Sequence, residues 1–337
     1  MTSPPAFGAV VIGRNEGERL RICLQSVLRS TPAVVYVDSG STDGSLTLAA
    51  SLGVDVLQLD MSIPFTAARA RNAGYRRLLQ IAPGVPLVQF VDGDCEVVAG
   101  WTDKAVARLA ERPDLAVVCG RRRERHPDAS VYNRLCDIEW DTPIGDTAAC
   151  GGDAMMRLAA LEAVGGYDPQ LIAGEEPELC VRLCKRGYRI ERLDAEMTLH
   201  DAAITRFSQW WRRNVRAGHA FSEGASLHGR GADRHGVRNV RSAIFWGGAV
   251  PTVALLGAVP SGGASLVLFG GYGLLALRVY RRQRRQGRPP RDAAVAATFI
   301  VLAKFPELRG VIKFHWNRAR GQRSPLIEYK LPVQPKS

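Results

Sequence analysis

The chain has 337 residues, 46% of them apolar, enough for one large core or two smaller ones, which excludes a disordered chain and a disulfide miniprotein. Its net charge of +12 is unevenly placed: residues 1–205 carry 22 Lys and Arg against 28 Asp and Glu, whereas 206–337 carry 23 against 5. The basic clusters flank apolar runs and contain no recognised nucleic-acid-binding motif, so they point to anionic lipid headgroups rather than nucleic acid.

The first 120 residues alternate β-rich runs with helical patterns, which predicts a mostly parallel sheet wrapped by helices. Strands are expected at 9–12, 34–37, 54–59, 87–91 and 115–119, and helices at 18–29, 45–52, 67–80 and 102–111. No charged-then-apolar leader opens the chain, which predicts a cytosolic N-terminus. Seven cysteines without a Cys-x-x-Cys spacing suit reduced core thiols. Residues 121–150 have little periodicity and read as a loop, with Arg121, Arg122, Arg123 and Arg125 as its solvated charges. Periodicity returns at 151–166, and a helix is predicted over 176–186, with carboxylates at its start, Lys185 and Arg186 at its end and Gly187 as the stop.

Beyond Arg241 the composition changes. Residues 243–277 contain no charged side chain, and Pro260-Ser261-Gly262-Gly263 lies near the middle. A spanning helix needs about 20 residues, so two short spans turning at 260–263 are expected. Arg278, Arg281, Arg282, Arg284, Arg285 and Arg288 then return the chain to the cytosol. Residues 293–303 are too short to span and are expected to lie in the interface. The expected organisation is a catalytic domain over 1–225, a basic linker over 226–242, a transmembrane hairpin over 243–280 and a basic cytosolic tail over 281–337.

A doubly wound sheet binds its ligand at the carboxyl ends of its strands, where this chain places polar motifs. Arg14-Asn15-Glu16 follows the first strand, Asp38 to Gly44 the second, and Asp92-Gly93-Asp94 the fourth. Asp38, Ser39 and Asp43 sit on a turn able to hydrogen-bond a nucleobase or ribose, although Ser41, Thr42 and Asp43 also suit a helix cap. Asp92 and Asp94 offer hard oxygen ligands for Mg²⁺ or Mn²⁺, which would neutralise a departing diphosphate. Glu175 and Glu176 form a like-charge pair at a helix start, and their repulsion raises one pKa toward the range of a general base. His200, after a strand-like run, would complete a metal site as a neutral ligand. Arg71-Asn72 lies mid-helix with a polar face toward the same sheet edge.

In order, Val11 to Glu16, Val37 to Gly44, Ala70 to Gly74, Val91 to Asp94, Gly165 to Asp168 and Gly174 to Leu179 give the chain its family likeness over residues 6–220. It resembles the family 2 glycosyltransferases, inverting enzymes of the GT-A fold. The resemblance implies an α/β, Rossmann-like mixed sheet flanked by helices, here with a C-terminal helical membrane-associated region. It implies a nucleotide site formed by Arg14, Glu16, Asp38, Ser39, Asp43, Arg71, Asp92 and Gly93, with Asp38 on the base. A metal would be held by Asp92, Asp94 and His200. Where this chain has Glu175-Glu176 the family commonly has Glu-Asp, with the base at the second position; Glu176 is the expected base and Glu175 the alternative. Gly152 and Asp153 are placed with the acceptor or diphosphate. Gln209-Trp210-Trp211-Arg212-Arg213 is partly similar to the Gln-x-x-Arg-Trp signature of processive synthases, so Gln209, Arg212 and Arg213 join either that region or a membrane-interface helix.

The expected activity is Mn²⁺- or Mg²⁺-assisted transfer of a sugar from a nucleotide-diphosphate sugar, UDP-linked first, to a lipid-linked or polysaccharide acceptor at the cytoplasmic face of the plasma or inner membrane. Two rivals are a sugar nucleotidyltransferase, which would carry a glycine-rich loop with a basic residue where Arg14-Asn15-Glu16 stands, and a non-catalytic membrane scaffold retaining the fold.

Overall fold

Gly8–Gly13 (β1) is uncharged, five of its six residues are buried, and it pairs in parallel with two strands that are mainly apolar up to their closing aspartates, as expected of a sheet covered on both faces. The computed structural model describes residues 5–329, which form two units. One takes the described residues up to His126 together with Glu139–Ala203; the other takes Pro127–Ile138 and the described residues from Ile204 on.

The first unit is the α/β part. After β1 come Glu18–Leu28 (α1), Val34–Asp38 (β2), Ser45–Ser51 (α2), Asp55–Gln58 (β3), Ala67–Ile81 (α3), Leu87–Asp92 (β4), Cys95–Val97 (β5), Trp101–Glu111 (α4) and Leu115–Glu124 (β6). Val131–Trp140 (α5) begins in the second unit and ends in the first. Gly145–Asp146 (β7), Ala154–Arg157 (β8), Leu158–Ala163 (α6), Glu175–Lys185 (α7) and Arg189–His200 (β9) complete the unit.

The strands lie in the order β3-β2-β1-β4-β8-β6-β9-β5, with β7 also on β9. The five leading strands of this order, apart from β8, run parallel, and β8 is antiparallel to both its neighbours. Parallel register aligns Ile12 with Asp92 and Gly13 with Asp38, so the ends of β1, β2 and β4 share one edge. The antiparallel β8 starts at that same edge, and β6 and β9 end there, Glu124 opposite His200. Topology thus gathers residues from six separate stretches of chain.

The core lies between this sheet and its helices, with Tyr36, Phe90, Trp101, Met155, Met156 and Tyr167 fully buried. Thr66 starts α3 by accepting the Arg69 N–H at 3.1 Å. Two expectations for this unit change. The arginine run predicted as a solvated loop continues β6 through Glu124, and a helix follows at α5. Register shifts against β9 on either side of Arg121 break the alternation by which a strand is recognised.

The second unit is helical: Phe207–His228 (α8), Val237–Ile244 (α9), a π-helical turn Phe245–Ala249, Val250–Leu256 (α10), a 3-10 segment Ala264–Phe269, Gly270–Arg285 (α11) and Pro290–Ala319 (α12). Gly218 and Gly310 let α8 and α12 cross closely: a Cβ at Gly218 would stand 2.0 Å from the Glu307 carbonyl, and one at Gly310 2.1 Å from that of Val215. The stretch expected to lie in an interface is part of α12, whose Ala293, Ala296, Ala297 and Ala303 are buried. The transmembrane hairpin expected over 243–280 does not form as two spans. Among the described residues no helix is long and apolar enough to cross a membrane. Glycines at 247, 248, 257, 262, 263, 270, 271 and 273 supply the reason: the apolar run is broken into a π turn, short helices and a 3-10 segment.

Candidate active site

The turns after β1 and β2 fasten to one another. The Asn15 N–H donates to Ser41 Oγ at 2.9 Å, the Thr42 N–H to Asn15 Oδ1 at 2.7 Å, and the Gly17 N–H to Asp43 Oδ2 at 3.0 Å. Asp43 also accepts from the Ser45 N–H at 3.1 Å, although the N-cap of α2 is Gly44 and carries no side-chain cap, unlike the cap expected from Ser41, Thr42 and Asp43. Asp38 is only 2% exposed: its carboxylate accepts from the Tyr36 hydroxyl at 2.9 Å and from the Gly40 and Ser41 N–H groups at 3.0 and 2.8 Å. Asp38 therefore sets the conformation of the turn, and the neighbouring Ser39 is equally buried. Arg14 is half-buried, and Glu16 pairs with Arg19 at 2.7 Å. Gly93 donates its N–H to the Ile12 carbonyl at 2.8 Å and tucks the β4 turn against β1.

An alternating network of charges occupies the edge beyond β4. Arg71, on α3, is 2% exposed and binds three carboxylates: Nη2 to Asp92 Oδ1 at 2.8 Å, Nη1 to Glu175 Oε1 at 2.9 Å and to Glu176 Oε1 at 3.0 Å. Its guanidinium also lies over the Tyr167 ring, 5.6 Å from the centroid. Asn72 clips that segment by accepting the Tyr167 N–H at 2.9 Å and donating to the Tyr167 carbonyl at 2.7 Å. Gly152 adjoins the network so closely that a Cβ would stand 2.6 Å from Arg71 Nη2 and 2.7 Å from Asp92 Oδ2; no side chain fits there. Burial opposes ionisation of Asp92, but Arg71 and Arg122 outweigh it and lower its pKa to about 2.

Glu175 and Glu176 open α7 behind Gly174, whose φ of 78° is a left-handed conformation that glycine adopts freely. Glu175 is 4% exposed at its side chain and Glu176 15%. Burial, and then the charge of Glu175, raise the Glu176 pKa to about 7, against the opposing pull of Arg71. A carboxyl with that pKa, open to solvent on one side, can take a proton at neutral pH.

The third part of the edge is a set of metal-type donors. Asp94 is 4% exposed, and its Oδ2 lies 3.3 Å from His200 Nε2. Asp94, Cys95 and His200 each offer a ligand atom within 4.8 Å of the others. Burial raises the pKa of the Cys95 thiol well above its usual range, and beside it Asp94 and His200 form a pair of one hard oxygen and one imidazole nitrogen. His200 Nδ1 is buried without a hydrogen-bond partner, 3.8 Å from Glu124 Oε2. That pair suits Mn²⁺ or Mg²⁺ sharing its coordination with phosphate oxygens. Asp92, expected as a metal ligand, has each oxygen on an arginine, Oδ2 accepting from Arg122 Nη2 at 2.7 Å, and shares a second group of metal-type donors with Cys95 and Asp153.

Asp153 is fully buried and joins the network by accepting the Asp92 N–H at 2.9 Å and the Thr198 hydroxyl at 2.8 Å. Gln209, Arg212 and Arg213 belong to the second unit. There Gln209 is buried at the start of α8, its Oε1 accepting from the Thr205 and Arg206 N–H groups at 3.0 Å, while Arg212 is exposed. Gln209 thus closes a capping box at the start of α8. Sequence reasoning missed Arg122 and Trp140 at the site; the Arg122 guanidinium stands 5.2 Å over the Trp140 ring.

Residues 9–161 match the family model described as glycosyl transferase family 2. The chain is 24% identical over 260 residues to the glycosyltransferase AglE of Haloferax volcanii, covering 73% of this chain and 81% of the relative. It is 29% identical over 197 residues to the succinoglycan biosynthesis protein ExoA of Rhizobium meliloti, covering 53% and 58%. Among solved structures, the mannosyltransferase PcManGT from Pyrobaculum calidifontis, in complex with GDP-Man and Mn²⁺, shares the fold with a TM-score of 0.63 at 19% identity, covering 94% of this chain and 89% of that one. S. aureus TarS 1–349 does so with a TM-score of 0.52 at 16% identity, covering 94% and 92%.

Proposed function

Since the chain belongs to the family 2 glycosyltransferases by its residues 9–161, we propose that it is an inverting enzyme using a nucleotide-diphosphate sugar, UDP-linked first, with an acceptor hydroxyl on a lipid-linked or polysaccharide chain. The observation that carries this reading is the pairing of one partly exposed carboxyl, Glu176, whose pKa is about 7, with a separate hard-donor pair at Asp94 and His200. The first suits proton removal from a hydroxyl and the second suits a cation on diphosphate.

The acceptor oxygen attacks the anomeric carbon as the bond from that carbon to the diphosphate oxygen breaks, and Glu176 takes the hydroxyl proton. Arg71 holds Glu176 in position at 3.0 Å and binds Glu175 beside it at 2.9 Å. Asp94 and His200 would hold the divalent ion, which when bound supplies charge neutralisation at the diphosphate. The fastened turns of residues 14–17 and 39–44 take the nucleoside, with Asp38 fixing their backbone. Support for a saccharide acceptor comes from ExoA, a succinoglycan biosynthesis protein, and support for a nucleotide sugar and Mn²⁺ from the PcManGT complex.

The site of action in this reading is a cytoplasmic membrane surface. Supporting it, Val253, Leu255, Leu256, Val259, Val267 and Leu274 are 57–91% exposed within the uncharged run, and the arginines of α11 follow directly.

Donor use is tested by thermal shift and hydrolysis with a panel of UDP- and GDP-sugars in Mn²⁺. One donor is expected to raise the melting temperature and to be turned over, and Asp94→Ala should lower turnover at least about 100-fold. Wild-type turnover in Asp94→Ala would remove the metal from the reading.

A further inference from the structure

A second group of metal-type donors lies beside the first: Asp92, Cys95 and Asp153 offer ligand atoms that all lie within 4.8 Å of one another. One side chain touches all three. Arg122 places Nη2 2.7 Å from Asp92 Oδ2 and 3.2 Å from Cys95 Sγ, and Nε 3.0 Å from Asp153 Oδ2. We infer that Arg122 is a built-in cation: it fills this second group and confines the enzyme to one divalent ion, at Asp94 and His200.

The surroundings suit a permanent occupant. Arg122 is 14% exposed at its side chain and its guanidinium lies over Trp140. Asp153 cannot turn away, because Oδ1 accepts the Asp92 N–H at 2.9 Å and Oδ2 the Thr198 hydroxyl at 2.8 Å. Asp92 is likewise held by Arg71 at 2.8 Å. The acidic donors are therefore fixed by contacts other than Arg122 and would remain in place without it. A divalent ion entering the group would have to displace the guanidinium from two carboxylates and stand beside its charge, whereas an uncharged side chain at 122 would leave the buried Asp153 without its arginine and Asp92 with Arg71 alone. An arginine in this role stays charged at every working pH and cannot be removed by a chelator.

The inference rests on the proposed function only in assigning the first ion to Asp94 and His200, and its readout needs no turnover. The full chain, without nucleotide, is titrated with Mn²⁺ while free Mn²⁺ is followed by electron paramagnetic resonance. Arg122→Gln should bind one more Mn²⁺ per chain than the wild type, Arg122→Lys should match the wild type, and Arg122→Gln combined with Asp153→Asn should lose the added ion. Melting curves give a second reading: Mn²⁺ should raise the melting temperature of Arg122→Gln more than that of the wild type. Equal stoichiometry in Arg122→Gln and wild type overturns the inference. Two ions in the wild type do so as well, which requires no variant to fold. Loss of the first ion in Asp94→Ala tests the Asp94 and His200 assignment separately, because the Arg122 readout is a difference between proteins.

Discussion

At the scale of single residues, the two glutamates that open α7 differ in their surroundings more than in their chemistry. Glu175 is nearly enclosed and lies on Arg71, whereas Glu176 keeps 15% of its side chain exposed and has its pKa raised by burial and by Glu175. Glu176 acts as a base only when it has lost its proton, so kcat should rise with pH through about 7. Glu175→Gln removes the neighbouring like charge and should move that acid limb to lower pH by up to about one unit, worth about 1.4 kcal/mol. An unmoved limb in the kcat–pH profile would mean that another group titrates. The effect on stability has the opposite sense. The folded state keeps the Glu176 proton up to about 7 while an ordinary glutamate carboxyl releases it at 4.5, so this group's contribution falls as pH rises through that interval. Asp92 behaves inversely: its pKa of about 2 against an ordinary aspartate value of 3.8 gives a contribution present above that range and lost as pH falls through it.

At the scale of elements, the sequence revealed those whose pattern is local. The apolar runs at β1, β2 and β4 and the polar residues closing them could be read directly, because a covered parallel strand is a continuous apolar run. The start of α7 was legible from its carboxylates and glycine. Arg122 was not, since nothing in a run of arginines says which one meets Asp92, 30 residues earlier in the chain. The short strands β5, β7 and β8 escaped because their pairing partners are remote. The broken helices after Arg241 escaped for a different reason: counting uncharged residues overlooks how strongly eight glycines weaken a continuous helix. The helix crossing in the second unit gives its own prediction. In Gly310→Val the added atoms meet the Val215 carbonyl, where even a Cβ would be at 2.1 Å. Equilibrium denaturation should show a loss at the upper end of the range for overpacking, about 3 kcal/mol. An unchanged midpoint would contradict the close α8–α12 crossing.

Across the whole molecule, an acidic catalytic sequence is followed by a basic one that exposes apolar side chains, with Val259 91% exposed and Leu256 76%. The chain should float with vesicles containing anionic lipid, and flotation should weaken in high salt without vanishing, because the apolar contact is not screened. Val259→Asp with Leu256→Asp should abolish flotation while leaving the melting temperature within a few degrees, since both side chains are already in contact with solvent. Flotation equal to that of the wild type would exclude this face from the membrane. The central claim is that this chain transfers a sugar with Glu176 as the base. It is tested most directly by the single-turnover rate of transfer in Glu176→Gln with donor and Mn²⁺ saturating. A fall of about 100- to 10,000-fold, with donor-induced thermal stabilisation intact, is the predicted result. A wild-type rate in Glu176→Gln would contradict the account.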